Sequence, residues 1–264
     1  MTTQGGVLNL YKKRGETPLQ RVERFRADNP EFKGVKMTYA GRLDPLAEGV
    51  LPVLYGGEVI YKDKYLNMDK EYSVQAFFGA ETDTYDLLGF ISEKRPSESI
   101  GVFPDNENDV NNIKSELKNF VGKRKQKYPP YSSKTVMGKS LFRWARDGEI
   151  ESINMPEKAI MIYSAEFTGS EYVDVTSFKE MIFSSIDSVI GDFRQKETKD
   201  KWRAFFACLE NRNLIVCSFD FRVSSGAYAR GLIHDLGRKM GMGAIALKIL
   251  RTKAGDYTIN DSQR

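Results

Sequence analysis

The run Gly41-Arg42-Leu43-Asp44-Pro45-Leu46-Ala47-Glu48-Gly49-Val50-Leu51 presents one carboxylate, that of Asp44, from a turn. Gly41 and Gly49 allow backbone conformations closed to other residues. Pro45 locks its own φ and biases Asp44 toward an extended conformation, while Leu43, Leu46, Val50 and Leu51 supply apolar anchors. A carboxylate held in this way is suited to act as a nucleophile or a base. An Asp-Pro pair alone also serves as a plain turn whose aspartate bonds its own backbone. A second chemical group lies further on. From Lys118 to Arg146 there is no acidic residue, and Lys123, Arg124, Lys125, Lys127, Lys134, Lys139 and Arg143 are interleaved with Tyr128, Tyr131, Phe142 and Trp144. Cations neutralise phosphates and release counterions, and aromatic faces stack on unpaired bases, so this mixture suits nucleic acid. A solvated basic face is the alternative.

The elements that must carry these groups are readable in outline. Val7 to Lys12 alternates as an opening strand; Thr17 caps a helix over 18–27 that begins at Pro18, carries Leu19, Val22 and Phe25 at helical spacing, and breaks at Asn29-Pro30. Residues 71–79 are rich in β-formers, with Tyr72 near the start of a strand. The polar segment Pro96 to Asn112 reads as a mobile loop before a helix over about 110–121. A strand over 157–168, a helix over 176–190 with Phe178, Ile182, Ile186 and Val189 inward, a strand over 214–223, a turn at Ser224-Ser225-Gly226 and a helix over 227–240 follow. Residues 192–204, with Arg194, Lys196, Lys199, Lys201 and Arg203, extend the basic surface in this reading. Strands dispersed among helices, without repeats or heptads, indicate a mixed α+β class.

With 264 residues, 41% hydrophobic and 29% charged, the chain can bury a sizeable core, and no linker argues for a split. The net charge of +4 does not by itself identify a polyanion partner. No apolar run reaches membrane-spanning length, and Met1 to Gly6 lacks the features of a secretory signal, so a cytoplasmic protein is expected. Cys208 and Cys217 are too few for a disulfide framework or a thiolate zinc site and read as buried packing residues. The only histidine, His234, falls on the late helix, which leaves no Ser/His triad and no histidine-rich metal site.

Four blocks in order complete the reading: the Asp44 loop; Lys70-Glu71-Tyr72 through Gly89; Tyr128-Pro129-Pro130-Tyr131-Ser132-Ser133-Lys134 through Gly148; and Ser224-Ser225-Gly226-Ala227-Tyr228-Ala229-Arg230. Together they resemble the TruB family of tRNA pseudouridine synthases from Leu8 to Tyr257. The resemblance implies a pseudouridine synthase fold, α+β with a mixed central sheet flanked by helices and an RNA-binding cleft, as one catalytic domain over residues 1–264. It implies isomerisation of uridine to pseudouridine at uridine 55 of the tRNA T-loop without cofactor or metal, the T-arm being the partner and no obligate protein partner being evident. It makes Asp44 the catalytic aspartate, Arg230 the cation that pairs with it, and Tyr72 the ring on which the extruded uracil packs. Lys70 is expected on phosphate or on the active-site loop, and Arg251 facing RNA with Lys253 nearby. The segment over about 123–148, with Lys125, Lys127 and Lys134, matches the family's RNA-clasping thumb.

Three positions depart from the family pattern. Tyr39 stands where a histidine commonly helps invert the T-loop, Arg42 precedes Leu43-Asp44 as in enzymes acting on ribosomal RNA, and Ile245 replaces another common histidine. Tyr39 retains a stacking face, and Arg42 adds a cation at the turn. Too few residues follow Tyr257 for the PUA domain many relatives carry, so the core is expected to bind RNA alone. Two rival functions stay open: an RNA-binding folding factor with dispensable catalysis, and the same isomerisation on another structured RNA.

Overall fold

Alternation in Val7 to Lys12 produces β1 (Gly6–Lys12), and the Thr17 hydroxyl and Gln20 side chain close a capping box at the start of α1 (Pro18–Asp28). The computed structural model describes residues 5–92, 103–207, 209 and 213–264. After α1 the chain forms β2 (Met37–Tyr39), β3 (Ala47–Tyr55), α2 (Lys62–Leu66) and β4 (Lys70–Phe78). Then come α3 (Glu107–Phe120), β5 (Gly122–Lys127), a small hairpin of β6 (Thr135–Val136) and β7 (Lys139–Ser140), α4 (Leu141–Arg146) and β8 (Glu157–Asp174). The last part is α5 (Val175–Asp187), α6 (Gln195–Ala207), β9 (Asn213–Val223), α7 (Ala229–Lys239), β10 (Ala244–Ala254) and β11 (Tyr257–Thr258).

One nine-stranded sheet runs in the order β1-β3-β10-β4-β9-β8-β5, with β11 attached to β10 and β2 to β3. Its β3–β10 pair is parallel and its other pairs are antiparallel, so the sheet is mixed and the fold is α+β as expected. Side-chain alternation assigns the helices to faces. Val74, Ala76, Ile215, Cys217 and Phe219 meet α3 through Ile113, Leu117 and Phe120 and α7 through Leu232, Ile233 and Leu236. Their neighbours of opposite parity, Phe77, Leu214, Val216, Ile245 and Leu247, meet Phe178, Ile182 and Ile186 of α5 and Trp202 and Phe206 of α6. A third cluster seats Val22 and Phe25 of α1 on Leu10, Leu51 and Val53.

Several elements differ from the sequence reading. β3 and β10 emerge as neighbouring strands in the middle of the sheet. Val50 to Leu54 is fully buried, and such a run lacks the alternation that marks a half-exposed strand. β5, inside the basic segment, is a strand of the main sheet paired with β8, so the protruding part begins at Tyr128. Residues 192–204 are only in part a basic surface: Arg194 pairs with Asp83, Lys199 with Asp187 and Arg203 with Asp200, while Trp202 of α6 is fully buried. Cys217 is buried, with its thiol pushed up to about 12 by loss of solvent, as a packing residue should be. Cys208 and the stretch 96–102 of the expected loop lie outside the described residues.

Candidate active site

The turn that presents Asp44 links β2 to β3 and is held from several sides. Gly41 has φ +84° and Gly49 φ +109°, and a β-carbon at 49 would stand 2.3 Å from the Arg251 carbonyl oxygen, so only glycine lets β3 lie against β10 there. Ala47 N–H donates to the Asp44 carbonyl at 3.0 Å, closing the turn, and Gly15 N–H donates to the Pro45 carbonyl at 2.9 Å. Lys12, fully buried, donates from Nζ to the carbonyls of Lys13, Pro45 and Ala47. Burial, opposed by Glu16 and Asp44, lowers its pKa to about 8. On the other side Arg251, 1% exposed, donates from Nε to the Val50 carbonyl at 2.7 Å and reaches the carbonyls of Arg42 and Gly41 at 3.5 and 3.4 Å. Two buried cations thus grip the backbone on both flanks of the aspartate.

Asp44 itself meets Arg230 at the start of α7. Arg230 Nε donates to Asp44 Oδ2 at 2.7 Å, and Nη2 lies 3.5 Å from Oδ1, the forked arrangement that fixes a carboxylate in plane. The same guanidinium donates to the carbonyl of Thr84 and, at 2.9 Å, to that of Tyr131. It therefore ties together the Asp44 turn, the loop after β4 and the base of the thumb-like segment. Burial opposes its charge, but Asp44 and Asp86 outweigh burial and raise its pKa. Asp86, 6% exposed, receives Thr84 Oγ1 at 2.6 Å and Leu88 N–H at 3.0 Å on Oδ1, and burial pushes its pKa up. The sequence reading assigned no role to Asp86. Its block with Thr82 and Thr84 was visible, but its proximity to Arg230 depends on how the loop after β4 folds back along β10, where Ala246 N–H donates to the Tyr85 carbonyl at 3.0 Å.

These groups line one cleft of about 820 Å³. Tyr72, 8% exposed, packs with Leu43 and Ala47 beside the aspartate. Tyr39 and the exposed Arg42 stand on the side of β2, where Lys62 Nζ lies 5.7 Å from the Tyr39 ring centroid. The thumb-like segment contributes Tyr128, Tyr131, Phe142 and Arg146 to the lining, with Tyr128 edge-on to Tyr228 at 5.7 Å. Lys70 and Arg251 also line the cleft, and both donate to backbone carbonyls. Lys70, 5% exposed, donates to the carbonyls of Leu66 and Met68. Lys125, Lys127 and Lys134 lie outside the lining: the first two are exposed on β5, and Lys134 Nζ sits 5.6 Å from the Tyr128 ring centroid. Ile245 is buried in the core beneath α5 and α6, and His234 stacks on Tyr85 at 3.7 Å, a packing role.

Residues 30–181 match the family model "TruB family pseudouridylate synthase (N terminal domain)".

The chain belongs to the TruB family.

It is 32% identical over 258 residues to the tRNA pseudouridine synthase B of Thermosipho melanesiensis, covering 97% of this chain and 66% of that one. It is 29% identical over 255 residues to the protein of the same name from Wigglesworthia glossinidia brevipalpis, covering 96% and 60%. The chain thus spans between 60% and 66% of the length of these two TruB relatives. Among solved structures, a Cbf5-Nop10-Gar1 complex superposes with a TM-score of 0.54 at 19% identity, over 96% of this chain and 50% of that one. A second, an H/ACA RNP bound to a substrate RNA containing 2′-deoxyuridine, gives 0.51 at 19% identity. At that identity the likeness is one of fold.

Proposed function

We propose that this TruB-family chain isomerises uridine to pseudouridine in tRNA, at uridine 55 of the T-loop, as a single catalytic domain. The observation that carries the reading is the Asp44 carboxylate, oriented by the Arg230 fork at 2.7 Å at the bottom of a cleft with an aromatic wall. The names of the TruB relatives support the tRNA substrate.

The reaction breaks the bond between the ribose C1′ and N1 of the base, turns the base in place, joins its C5 to C1′, releases the C5 proton and leaves N1 to take up one proton. It gains and loses no atoms overall, so it balances without a cofactor. Asp44 serves either by stabilising or trapping positive charge at C1′, or by removing a proton during the rearrangement. Arg230 holds the carboxylate aimed. Tyr72 supplies the ring against which the extruded uracil packs, and its hydroxyl is the candidate for proton transfer at C5.

The test is a stem-loop RNA carrying only the T-arm, labelled with tritium at C5 of its uridines. Purified protein is expected to release label from the one loop uridine. Release from a ribosomal RNA fragment alone would overturn the substrate, the outcome that Arg42 favours, and keep the chemistry. Specific RNA binding without release from any RNA would favour the folding-factor reading.

A further inference from the structure

Two lysines, Lys158 and Lys70, line the same cleft near enough for their charges to repel each other. Lys158 of β8 lines the cleft, and its ammonium makes no ion pair or hydrogen bond among the described residues. Its ammonium lies over Gly226, where a β-carbon would stand 1.9 Å from Nζ, so a residue without a side chain makes room for the cation. The turn that carries Gly226 is sewn to the same strand: Ser224 N–H donates to the Met161 carbonyl at 2.8 Å, and Met161 N–H donates to Ser224 Oγ at 2.9 Å. Gln126, opposite Lys158 on β5, exchanges hydrogen bonds with the Tyr228 backbone at 2.9 and 3.1 Å and fixes the far side of the turn.

Lys70 completes the arrangement. Its charge feels the repulsion of Arg251 and Lys158, and burial with that repulsion lowers its pKa to about 8. Two of its three N–H groups go to carbonyls, which leaves one for a ligand. The neighbouring acids are engaged elsewhere. Asp69 accepts from the Tyr163 hydroxyl at 3.2 Å, Asp44 holds Arg230, and Asp192 holds Arg146 at 3.1 Å. Ser225 and Gly226 also line the cleft, and their backbone N–H groups make no hydrogen bond among the described residues.

The geometry points to an anion-binding corner, formed by Lys158, Lys70 and the Ser225-Gly226 turn, that grips one backbone phosphate of the RNA beside the extruded uridine. This rests on the RNA substrate proposed above. A phosphodiester supplies the charge and acceptor oxygens that two close ammonium groups and free backbone N–H groups demand, and it relieves their mutual repulsion. Lys158 acts here as a binding residue: it sets where the phosphate stands and, through it, where the uridine enters.

The test uses the full chain and T-arm stem-loops in which single phosphates around the target uridine are replaced by neutral methylphosphonate. For Lys158→Ala the slope of log affinity against log salt should fall by about 1, with KM raised more than kcat is lowered. Wild type should lose affinity at one methylphosphonate position, and Lys158→Ala should lose nothing further at that position. Lys158→Arg should restore the slope, and Gly226→Ala, which displaces the ammonium without removing its charge, should repeat the loss. Melting curves confirm that each variant is folded. An unchanged slope, or effects that add at every phosphate, in the presence of wild-type isomerisation would overturn the corner alone. Wild-type protein that neither binds nor isomerises the RNA would overturn the substrate reading and the corner with it.

Discussion

Arg230 is the residue on which the site's geometry turns, because its guanidinium holds a carboxylate and two backbone carbonyls at once. Lysine keeps the charge but not the fork, so Arg230→Lys is expected to lower kcat by at least a hundredfold at a modest cost in stability. Arg230→Ala removes the charge that faces two acids. With its side chain 3% exposed, the loss should reach about 3 kcal/mol, read as a lower urea midpoint at unchanged m-value. Equal turnover by Arg230→Lys and wild type would show that the fork is dispensable. Lys12 is a second test at this scale. Its folded pKa, lowered by burial from an ordinary 10.5 to about 8, means that the folded state holds fewer protons than the unfolded chain between those values. Its contribution to stability is therefore fully present above about 10.5 and lost as pH falls through about 8. The stability of wild type relative to Lys12→Met should accordingly rise with pH inside that window, on the order of 1 kcal/mol per unit at its steepest. Parallel stability curves for the two proteins would show that the amine is not held as described.

At the scale of elements, the thumb-like segment invites the most direct measurement. Lys125 and Lys127 point outward from β5, and Lys134 stands beyond the aromatic wall, so none is tied to the Asp44 site. Replacing all three with alanine should weaken tRNA binding and reduce the salt slope by about 2 to 3, with kcat at saturating RNA little changed. An unaltered slope would return these lysines to a solvated face. How much was legible in the sequence differs by element for physical reasons. α1 announced itself through Thr17, Pro18 and Gln20, because capping is a local interaction. α5 did so through the spacing of Phe178, Ile182 and Ile186. β3 gave no alternating pattern because its central residues are buried on both faces. α6 carried enough lysine and arginine to be read as surface, although Trp202 and Phe206 face the core and several of the charges are paired. In the site, the pairing of Asp44 with Arg230 was expected from the family pattern. The burial of Lys70 and Arg251 was not, since a cation's commitment to backbone carbonyls depends on tertiary packing that residue type does not encode.

For the whole molecule, the sheet order explains how distant segments converge. The parallel contact of β3 with β10 brings Arg251 to the Asp44 turn, β4 on the other side of β10 delivers Tyr72, and α7 crosses the same face to present Arg230, 186 residues from its partner. The helices α5 and α6 cover the opposite face and support the loop that carries Thr84 and Asp86: Trp202 Nε1 donates to the Leu87 carbonyl and Thr198 Oγ1 to that of Leu88, each at 3.2 Å. The Arg230 fork and the closed turn hold Asp44 in place and leave its carboxylate one-third exposed to the cleft. The most direct test is therefore the turnover of Asp44→Asn on the T-arm stem-loop, with folding and RNA affinity measured on the same preparation. The substitution keeps the size of the side chain, and Asp86 continues to balance part of the Arg230 charge, so the protein should remain folded and bind RNA. If the carboxylate does the chemistry, kcat should fall by roughly four orders of magnitude or more with the melting temperature shifted by only a few degrees. Folded Asp44→Asn protein that still forms pseudouridine within about tenfold of the wild-type rate would contradict the assignment of Asp44 as the catalytic group.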